Sequence, residues 1–577
     1  MSTTAPSPKS NSDQDRLPDA LSDLVNRVVR GTRLWPSERR DVRAELESHF
    51  REGLIELTGE GKSLSESVTY LRDDFGDPKL AAHLIRRGKK RGRPMIWKAL
   101  VSVAAVCGAT LCAGAGYVAY VAFGKPTPTV DYVAKINEPL QTLPITDRAW
   151  PHLREAMLQM LPALDLFSGS TIQSAKPGDA EWVKIAEGIA TLRPFVPRLV
   201  EAATKPYWGY VYGMDGPEYL QQRGTVINKP PEPMSEIDPL IPPTLRMLLP
   251  HLSDVRGVGK FLAQNAKDLV RTGDFAGAWE SLDTIHHLGM HQMSSRTLIE
   301  QLVGASLIKL ANGEMQAMLH AMRDRLTPAD LDMIHASHVM TGPLDSLRPQ
   351  LKTEAFFFED AVQYVFTDDG NGNGRLIPSQ FSKIVGYTGP GQGTAEAGTD
   401  AGAIAIAAIH ADRRETLAKY HEVLDRTVEF WSLPLYDLRR GEGNALILKL
   451  ASDTTESKRF ALIGALLPAL SMADQIVRET RQSVLATRTL VGLLGYQADH
   501  QAMPARLADI APKYLCELPT DLYSGMLFKY QLATDGTFTL YSVGHNLLDD
   551  NASREKIDDP MRHGSTTESD LVFWPPK

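Results

Sequence analysis

Cysteine is scarce in this chain, and its placement excludes disulfide bonds as a source of stability for most of it. The 577 residues contain three cysteines. Cys107 and Cys112 lie in an apolar segment, which leaves Cys516 alone in the long C-terminal part. A lone cysteine forms no internal disulfide, so burial of side chains must stabilise that part.

The chain also lacks a large excess of either charge. It has 62 basic and 70 acidic residues and a formal net charge of -8, which is mild for this length. Composition therefore gives no reason to expect a nucleic-acid partner. The length exceeds what one hydrophobic core supports, so we expect roughly three or four folding units.

Familiar catalytic motifs are missing. The sequence has no Gly-x-Ser-x-Gly elbow, and the glycine-rich stretch 386–398 lacks the Gly-Lys-Ser/Thr ending of a phosphate-binding loop. Asp283, His287 and His291 have a spacing that can present two imidazoles to one metal, but no His-Glu-x-x-His pattern accompanies them. A solvated or capped helix face is the simpler interpretation, and a protein without enzymatic activity fits the sequence better than an enzyme.

One run of the sequence is apolar enough to cross a membrane. Residues 99–123 contain no charged side chain, and about 20 apolar residues span a bilayer core as a helix. We therefore predict a transmembrane helix over 97–124. The run follows a polar segment with its own helical pattern, so it does not have the form of a cleaved signal peptide.

Basic residues cluster before this run. They are Arg86, Arg87, Lys89, Lys90, Arg91, Arg93 and Lys98, whereas Lys125 is followed by mixed charge. The positive-inside rule places such a cluster in the cytoplasm, where it also contacts anionic lipid headgroups. We expect a single-pass protein of the inner (cytoplasmic) membrane, with a cytoplasmic N-terminus, a periplasmic C-terminal domain and the lipid bilayer as a partner.

The cytoplasmic part is predicted to be a disordered tail over 1–18 and a helical prefix domain over 19–88. The tail is rich in Ser, Pro, Thr and Asp, whereas apolar residues recur with helical spacing in the domain. Residues 38–49, with Phe-Gly-Asp-Pro at 75–78, resemble the prefix domains that precede membrane segments in some bacterial permeases and anti-sigma-factor-like proteins. This resemblance implies a contact module for a cytoplasmic protein and no chemistry; any small three-helix unit would show the same periodicity.

Helical patterns dominate the region beyond the predicted span. Residues 125–151 are rich in Pro and Thr, which is typical of a stalk. Residues 152–485 are predicted to form a large helical ectodomain. The turn at 271–275 resembles that of a tetratricopeptide-like hairpin, but one such unit does not make a repeat array, so a generic helical domain is the prediction.

A loop in the ectodomain has the spacing of a calcium site. Asp369, Asn371 and Asn373 resemble the first, third and fifth ligands of an EF-hand loop, and Gly374 supplies the turn. Gln380 stands where that family has a bidentate glutamate. The resemblance implies a weak Ca²⁺ site, and an Asn-Gly turn without metal is the alternative.

The last part of the chain, 486–577, is predicted to be a small α+β module. Short strands at 527–532 and 537–543 flank an Asp-Gly turn, which indicates an antiparallel hairpin. A preceding helix, a Pro-x-Asp-x-x-x-Gly loop and a following acidic loop complete an order that resembles the globular head of the major pseudopilins of type II secretion. This family holds calcium in the acidic loop, which implies Asp549, Asp550 and either Asp558 or Asp559 as ligands; a solvated acidic loop is the alternative.

Together these features predict a mainly α protein: a small cytoplasmic helical domain, one transmembrane helix, a large helical ectodomain and the α+β module. This combination resembles single-pass membrane proteins of planctomycete-type bacteria. A pilin carries its membrane helix next to its head, so this chain is not expected to polymerise. We hypothesise a membrane-anchored, non-enzymatic interaction or scaffold protein with protein partners, stabilised by calcium. A transmembrane signalling protein of anti-sigma-factor type and an exported hydrolase are the alternatives.

Overall fold

The computed structural model describes residues 16–90, 95–169, 175–229, 238–388, 400–437, 455–466, 469–559 and 566–576. These residues are mainly helical, with a small antiparallel sheet near the C-terminus, which confirms the predicted fold class at this level. The chain divides into two compact units, Met1–Gly116 and Tyr117–Lys577. Most of the predicted tail lies outside the described residues.

The first unit is a small helical domain followed by a long apolar helix. Its helices are α1 (Asp19–Thr32), α2 (Pro36–Gly59), α3 (Leu64–Asp74), α4 (Pro78–Lys90) and α5 (Met95–Ala122), the last of which crosses the boundary between the units. Helix α3 begins at Leu64 because the Ser63 hydroxyl accepts the backbone N–H of Glu66, whose carboxylate accepts the Ser63 N–H. Leu21, Val25 and Phe50 are among the residues that form the core.

Helix α5 is long and apolar enough to cross a membrane. Its stretch Ala99–Tyr120 has 22 residues, and no part of the apolar window is buried by the rest of the chain. Such a length matches the hydrocarbon core of a bilayer, since a helix rises about 1.5 Å per residue. The helix begins two residues before the predicted start at 97 and ends two before the predicted end at 124.

The second unit contains seventeen helices within the described residues. They are α6 (Tyr132–Asn137), α7 (Ala149–Leu164), α8 (Trp182–Leu192), α9 (Val196–Ala203), α10 (Asp215–Val226), α11 (His251–Thr272), α12 (Phe275–Met293), α13 (Leu298–Met322), α14 (Pro328–Ala336), α15 (His338–Thr341), α16 (Glu354–Val365), α17 (Pro378–Thr388), α18 (Asp400–Ile409), α19 (Arg413–Ser432), α20 (Thr455–Arg459), α21 (Ala461–Leu466) and α22 (Ala469–His500). In the stretch predicted as a stalk, Ile136, Ala149 and Trp150 are buried and belong to the main core.

Helices α11, α12, α13 and α22 form the centre of this unit, with α12 packed on α11 and α13, and α13 packed on α22. Helix α11 ends at Gly273, whose φ of 87° favours glycine, and the Asp274 carboxylate then accepts the N–H of Gly277 to start α12. A Cβ at Gly304 would lie 2.5 Å from the carbonyl oxygen of Gly289. The backbones of α12 and α13 therefore touch.

The C-terminal part adds five short strands. They are β1 (Lys529–Leu532), β2 (Phe538–Ser542), β3 (Lys556–Asp558), β4 (Thr566–Glu568) and β5 (Leu571–Trp574). Strands β1 and β2 form the predicted antiparallel hairpin, with Lys529 opposite Tyr541. Strand β5 pairs with the other side of β2, and β3 pairs with β4 in a separate two-stranded sheet.

Candidate functional site

The C-terminal strands are attached to α22 by a buried polar contact. The Gln482 side-chain amide donates to the Asp521 carboxylate (2.6 Å), and its carbonyl oxygen accepts the N–H of Leu522 (3.0 Å). Asp521 also accepts from the hydroxyls of Ser524 (2.8 Å) and Ser542 (2.7 Å). The Asp521 carboxylate and the Gln482 amide thus engage each other and their neighbours, which holds the loop 519–525 and β2 at a fixed position against α22.

A buried histidine makes a second contact between α22 and this region. His545 follows β2 and is 3% exposed. Its Nε2 lies 3.3 Å from the Glu479 carboxylate on α22, and its Nδ1 lies 3.1 Å from the Asp559 carboxylate after β3. The Tyr523 ring stacks on it at 5.3 Å between centroids. The imidazole is thus held between two carboxylates from different segments.

The two carboxylates favour the protonated ring. Burial opposes a charge on His545, but its close contact with Glu479 and the charges of Glu479 and Asp559 raise its pKa above the ordinary value. Burial likewise opposes ionisation of Glu479, yet the contacts with His545 and Lys309 lower its pKa to about 2. An imidazolium donates from its Nδ1 to Asp559, and its charge attracts the Glu479 carboxylate that its Nε2 faces.

Two more side chains, those of Lys309 and Gln475, contact these carboxylates. We use the name His545 cluster for the following five residues: Lys309, Gln475, Glu479, His545 and Asp559. Lys309 on α13 donates to Glu479 at 2.5 Å. Gln475 on α22 donates to Asp559 at 2.9 Å. The cluster therefore ties together α13, α22 and the segment that carries β3.

The His545 cluster lies on the wall of a cavity of about 1110 Å³. Helices α11, α13 and α22 form one side of the cavity, and strands β3, β4 and β5 contribute to the other. A cavity of this size is large enough for a small organic ligand. It is the strongest candidate for a functional site in the described part of the chain.

The geometry favours a binding or structural role for His545 over proton transfer. A general base needs an unoccupied ring nitrogen that reaches a substrate proton. Both nitrogens of His545 instead face carboxylates, and the ring is almost fully buried. Chemistry at this ring would require one of the two ion pairs to open first.

The predicted EF-hand-like loop forms a compact turn. The Asp369 carboxylate accepts the N–H groups of Asn371 (2.8 Å) and Asn373 (3.0 Å). The guanidinium of Arg414 donates to the Asn371 carbonyl at 2.5 Å. Gln380 lies on α17 and is buried, and its side-chain oxygen has no hydrogen-bond partner. Calcium binding here stays a prediction, and a nearby arginine opposes it electrostatically.

The predicted ligands in the acidic loop are also engaged by protein groups. Asp549 pairs with Lys529 at 2.9 Å and accepts from the Tyr541 hydroxyl at 3.0 Å. The Asp550 carboxylate accepts from Asn546 at 2.7 Å. Asp558 lies in β3, where it pairs with Thr566 of β4. A calcium ion at this loop, still a prediction, would compete with the Lys529 ammonium for Asp549.

The histidines of α12 do not converge on one point. The Asp283 carboxylate accepts the N–H groups of His338 and Val339, both at 3.1 Å, at the start of α15. His291 lies 2.9 Å from the carbonyl oxygen of Ala203 through its Nε2. The His287 ring instead contacts the His338 ring, with centroids 3.9 Å apart.

Among the described residues, no group of three or more His, Cys, Asp or Glu side chains is placed to hold a metal ion. Comparisons of the chain with protein-family models, with curated proteins and with solved structures found no match. Fold and site are therefore interpreted from their own geometry.

Sequence reasoning missed the His545 cluster. Its members lie at positions 309, 475, 479, 545 and 559, on four separate segments. Gln475 and Glu479 are four residues apart and share a face of α22, but this spacing is common on helix surfaces. The sequence carries no pattern that pairs them with His545.

Proposed function

We propose that the protein is a single-pass membrane protein that holds a non-enzymatic interaction domain outside the cytoplasm. The observation that carries this proposal is the stretch Ala99–Tyr120, an apolar helix that nothing in the chain covers. Exposing that much apolar surface to water is unfavourable, and a bilayer removes the cost. The basic residues before the helix favour a cytoplasmic N-terminus and an exported second unit.

The prefix domain fits a role as a contact module. Trp35, Leu80 and Leu84 are 67%, 59% and 57% exposed, respectively. Large apolar side chains left in solvent on a domain this small support a protein partner in the cytoplasm. A transmembrane signalling protein of anti-sigma-factor type remains an alternative, in which the prefix domain binds a regulator and the exported domain senses a signal.

The exported hydrolase is the weaker alternative. The gathering of His545, Glu479 and Asp559 beside a cavity is the arrangement that would favour it. However, both ring nitrogens already face carboxylates, which leaves no free base. A binding role for the cavity requires no such rearrangement.

The cysteines of the chain offer a direct test of the proposed topology. Cys516 is exposed in the second unit, whereas Cys107 and Cys112 lie in the proposed span. In a Cys107→Ala/Cys112→Ala background, a membrane-impermeant maleimide applied to intact spheroplasts is expected to label Cys516. A matched variant replaces Cys516 with Ser and carries Ala44→Cys, at an exposed position of α2. It is expected to be labelled only after the membrane is permeabilised.

Three results would count against the proposal. Labelling at position 44 but not at Cys516 in intact spheroplasts would reverse the orientation. Equal labelling at both positions would place them on the same side, and recovery of the unmodified chain in the soluble fraction would remove the membrane span.

A further inference from the structure

Basic side chains outnumber acidic ones on the wall of the cavity. The basic residues are Lys176, Lys267, Arg271, Lys309 and Lys556, and the acidic ones are Glu314, Glu479, Asp559 and Glu568. A protonated His545 adds a further positive charge. The cavity therefore carries an excess of positive charge, which concentrates anions.

Three of the four acidic residues are engaged by cationic side chains other than Lys176 and Lys556, namely Glu314, Glu479 and Asp559. The fourth, Glu568, lies opposite Lys556 in the β3–β4 pair. Glu314 pairs with Lys267 at 2.9 Å. Glu479 is shared between Lys309 and His545. A carboxylate next to the cavity is shared in the same way, because Asp268 pairs with both Arg271 (2.9 Å) and Arg193 (2.7 Å).

Two lysines of the cavity wall, Lys176 and Lys556, differ from the others in their ion pairing. Neither Lys176 nor Lys556 forms an ion pair with any residue that the structure describes. Lys176 precedes α8, and Lys556 begins β3, so they reach the cavity from separate segments. An anion between them would gain two cationic partners, of which it would share Lys556 with the opposite carboxylate of Glu568.

Much of the rest of the wall is apolar. Val270 on α11 and Leu310 and Met318 on α13 face the cavity, together with Val572 and Phe573 on β5. Inorganic anions would leave this surface in contact with water. A ligand that carries an alkyl or aryl group would bury it, at roughly 25 cal/mol per Å² of apolar area removed from water.

We propose that this cavity binds an organic anion with an apolar body, namely a carboxylate or phosphate ester that carries an alkyl or aryl group. The proposal names the ligand class of the exported domain and to that extent rests on the proposed function. The same chemistry is offered by a free metabolite and by the headgroup and chain of an anionic lipid.

The test is calorimetric titration of the full chain in phosphatidylcholine nanodiscs, with empty nanodiscs as the blank. Octanoate is expected to bind saturably at one site per chain. Octylammonium has the same alkyl chain with the opposite charge, and inorganic phosphate has the charge without the chain. Both are expected to bind at least about tenfold more weakly than octanoate.

Variants locate the site. Lys176→Gln with Lys556→Gln is expected to weaken octanoate binding about tenfold, since it removes the two lysines of the wall that form no ion pair with a described residue. Ala317→Trp, which places a large ring in the cavity, is expected to abolish it. The matched control is Lys184→Gln with Lys229→Gln, two exposed lysines away from the cavity, with unchanged binding expected.

Equal binding of octylammonium, an equal loss in the control pair or the absence of saturable heat would overturn the proposal. Adding phosphatidylglycerol to the nanodiscs distinguishes the two sources. Competition with octanoate would assign the site to a bilayer lipid, and unchanged octanoate binding would assign it to a free anion. The titration does not depend on membrane orientation, so its failure is distinguishable from a failed topology test.

Discussion

Two groups of histidines in the second unit have pKa values shifted in opposite directions. His545 lies between the carboxylates of Glu479 and Asp559, and its pKa is raised. His287 and His338 contact each other, and burial lowers the pKa of each to about 4. The difference arises from the neighbours, because burial alone opposes a charge on both groups.

The neighbours of His338 explain why no carboxylate reverses the effect of burial there. The closest acid is Asp283, whose carboxylate is occupied by the backbone N–H groups of His338 and Val339. His286 lies beside the same ring and is itself buried, so it adds no compensating charge. A carboxylate that caps a helix therefore raises the pKa of a nearby histidine less than a carboxylate that pairs with its ring.

The largest expected effect is a loss of stability in acid, caused by the protonation of His287 and His338. The ordinary histidine pKa is about 6.5, and those of His287 and His338 are about 4 in the folded state. Between these values the unfolded chain binds protons that the folded chain does not, so the free energy of unfolding falls as pH falls. We expect a loss of about 3–5 kcal/mol, discounted for partial exposure.

Melting temperature measured from pH 7 to pH 4 checks this prediction. The variant His287→Asn/His338→Asn is expected to have a shallower decline than the unmodified chain. The control His500→Asn changes an exposed ring and is expected to leave the slope unchanged. Equal slopes in the double variant and the unmodified chain would contradict the assignment of His287 and His338 as a neutral, half-buried pair.

The second prediction concerns the His545 ring, whose contribution to stability depends on pH in the opposite direction. His545→Gln removes the positive charge between Glu479 and Asp559, which is expected to cost about 2 kcal/mol at pH 6. A raised folded pKa gives stability that is fully present below the unfolded value and is lost as pH rises through the folded value. The difference from the unmodified chain is therefore expected to shrink toward pH 9.

Melting temperatures of the two proteins at pH 6 and pH 9 measure this difference, and His500→Gln is the matched control. A difference that stays constant over this range would mean that the ring contributes by packing alone. In the unmodified chain Glu479, with a pKa of about 2, remains ionised throughout this range.

The sequence predicts elements that a few adjacent residues specify, in contrast to the two histidine sites. The apolar helix and the hairpin were predictable because their signals are local: an uncharged run over 99–123 and an Asp-Gly turn at 535–536 between short apolar strands. Helix α5 and strands β1 and β2 follow those signals closely. In both cases a few adjacent residues suffice to specify the element.

The sites depend instead on contacts between distant segments. Asp283, His287 and His291 were predicted to share a face of one helix, but their partners come from elsewhere in the chain. The ring of His287 contacts α15, and His291 bonds to the end of α9. Helical spacing gives the direction of a side chain from its own helix and carries no information about the element that packs against it.

The smallest expected effect on stability concerns the Lys309–Glu479 ion pair, which lies at the rim of the His545 cluster, whereas the His545–Glu479 pair lies inside it. Lys309 is 55% exposed where it contacts Glu479, whereas His545 is almost fully buried. Lys309→Gln is therefore expected to cost no more than about 0.5 kcal/mol, since an exposed pair is well solvated.

Glu479 would then have His545 as its remaining cationic partner, and loss of the nearby positive charge would raise the pKa of the His545 ring further. The stability lost at high pH should accordingly begin at a higher pH than in the unmodified chain, as measured by melting temperature from pH 6 to pH 10. A midpoint that moves to lower pH would contradict the arrangement in which Lys309 and His545 share one carboxylate.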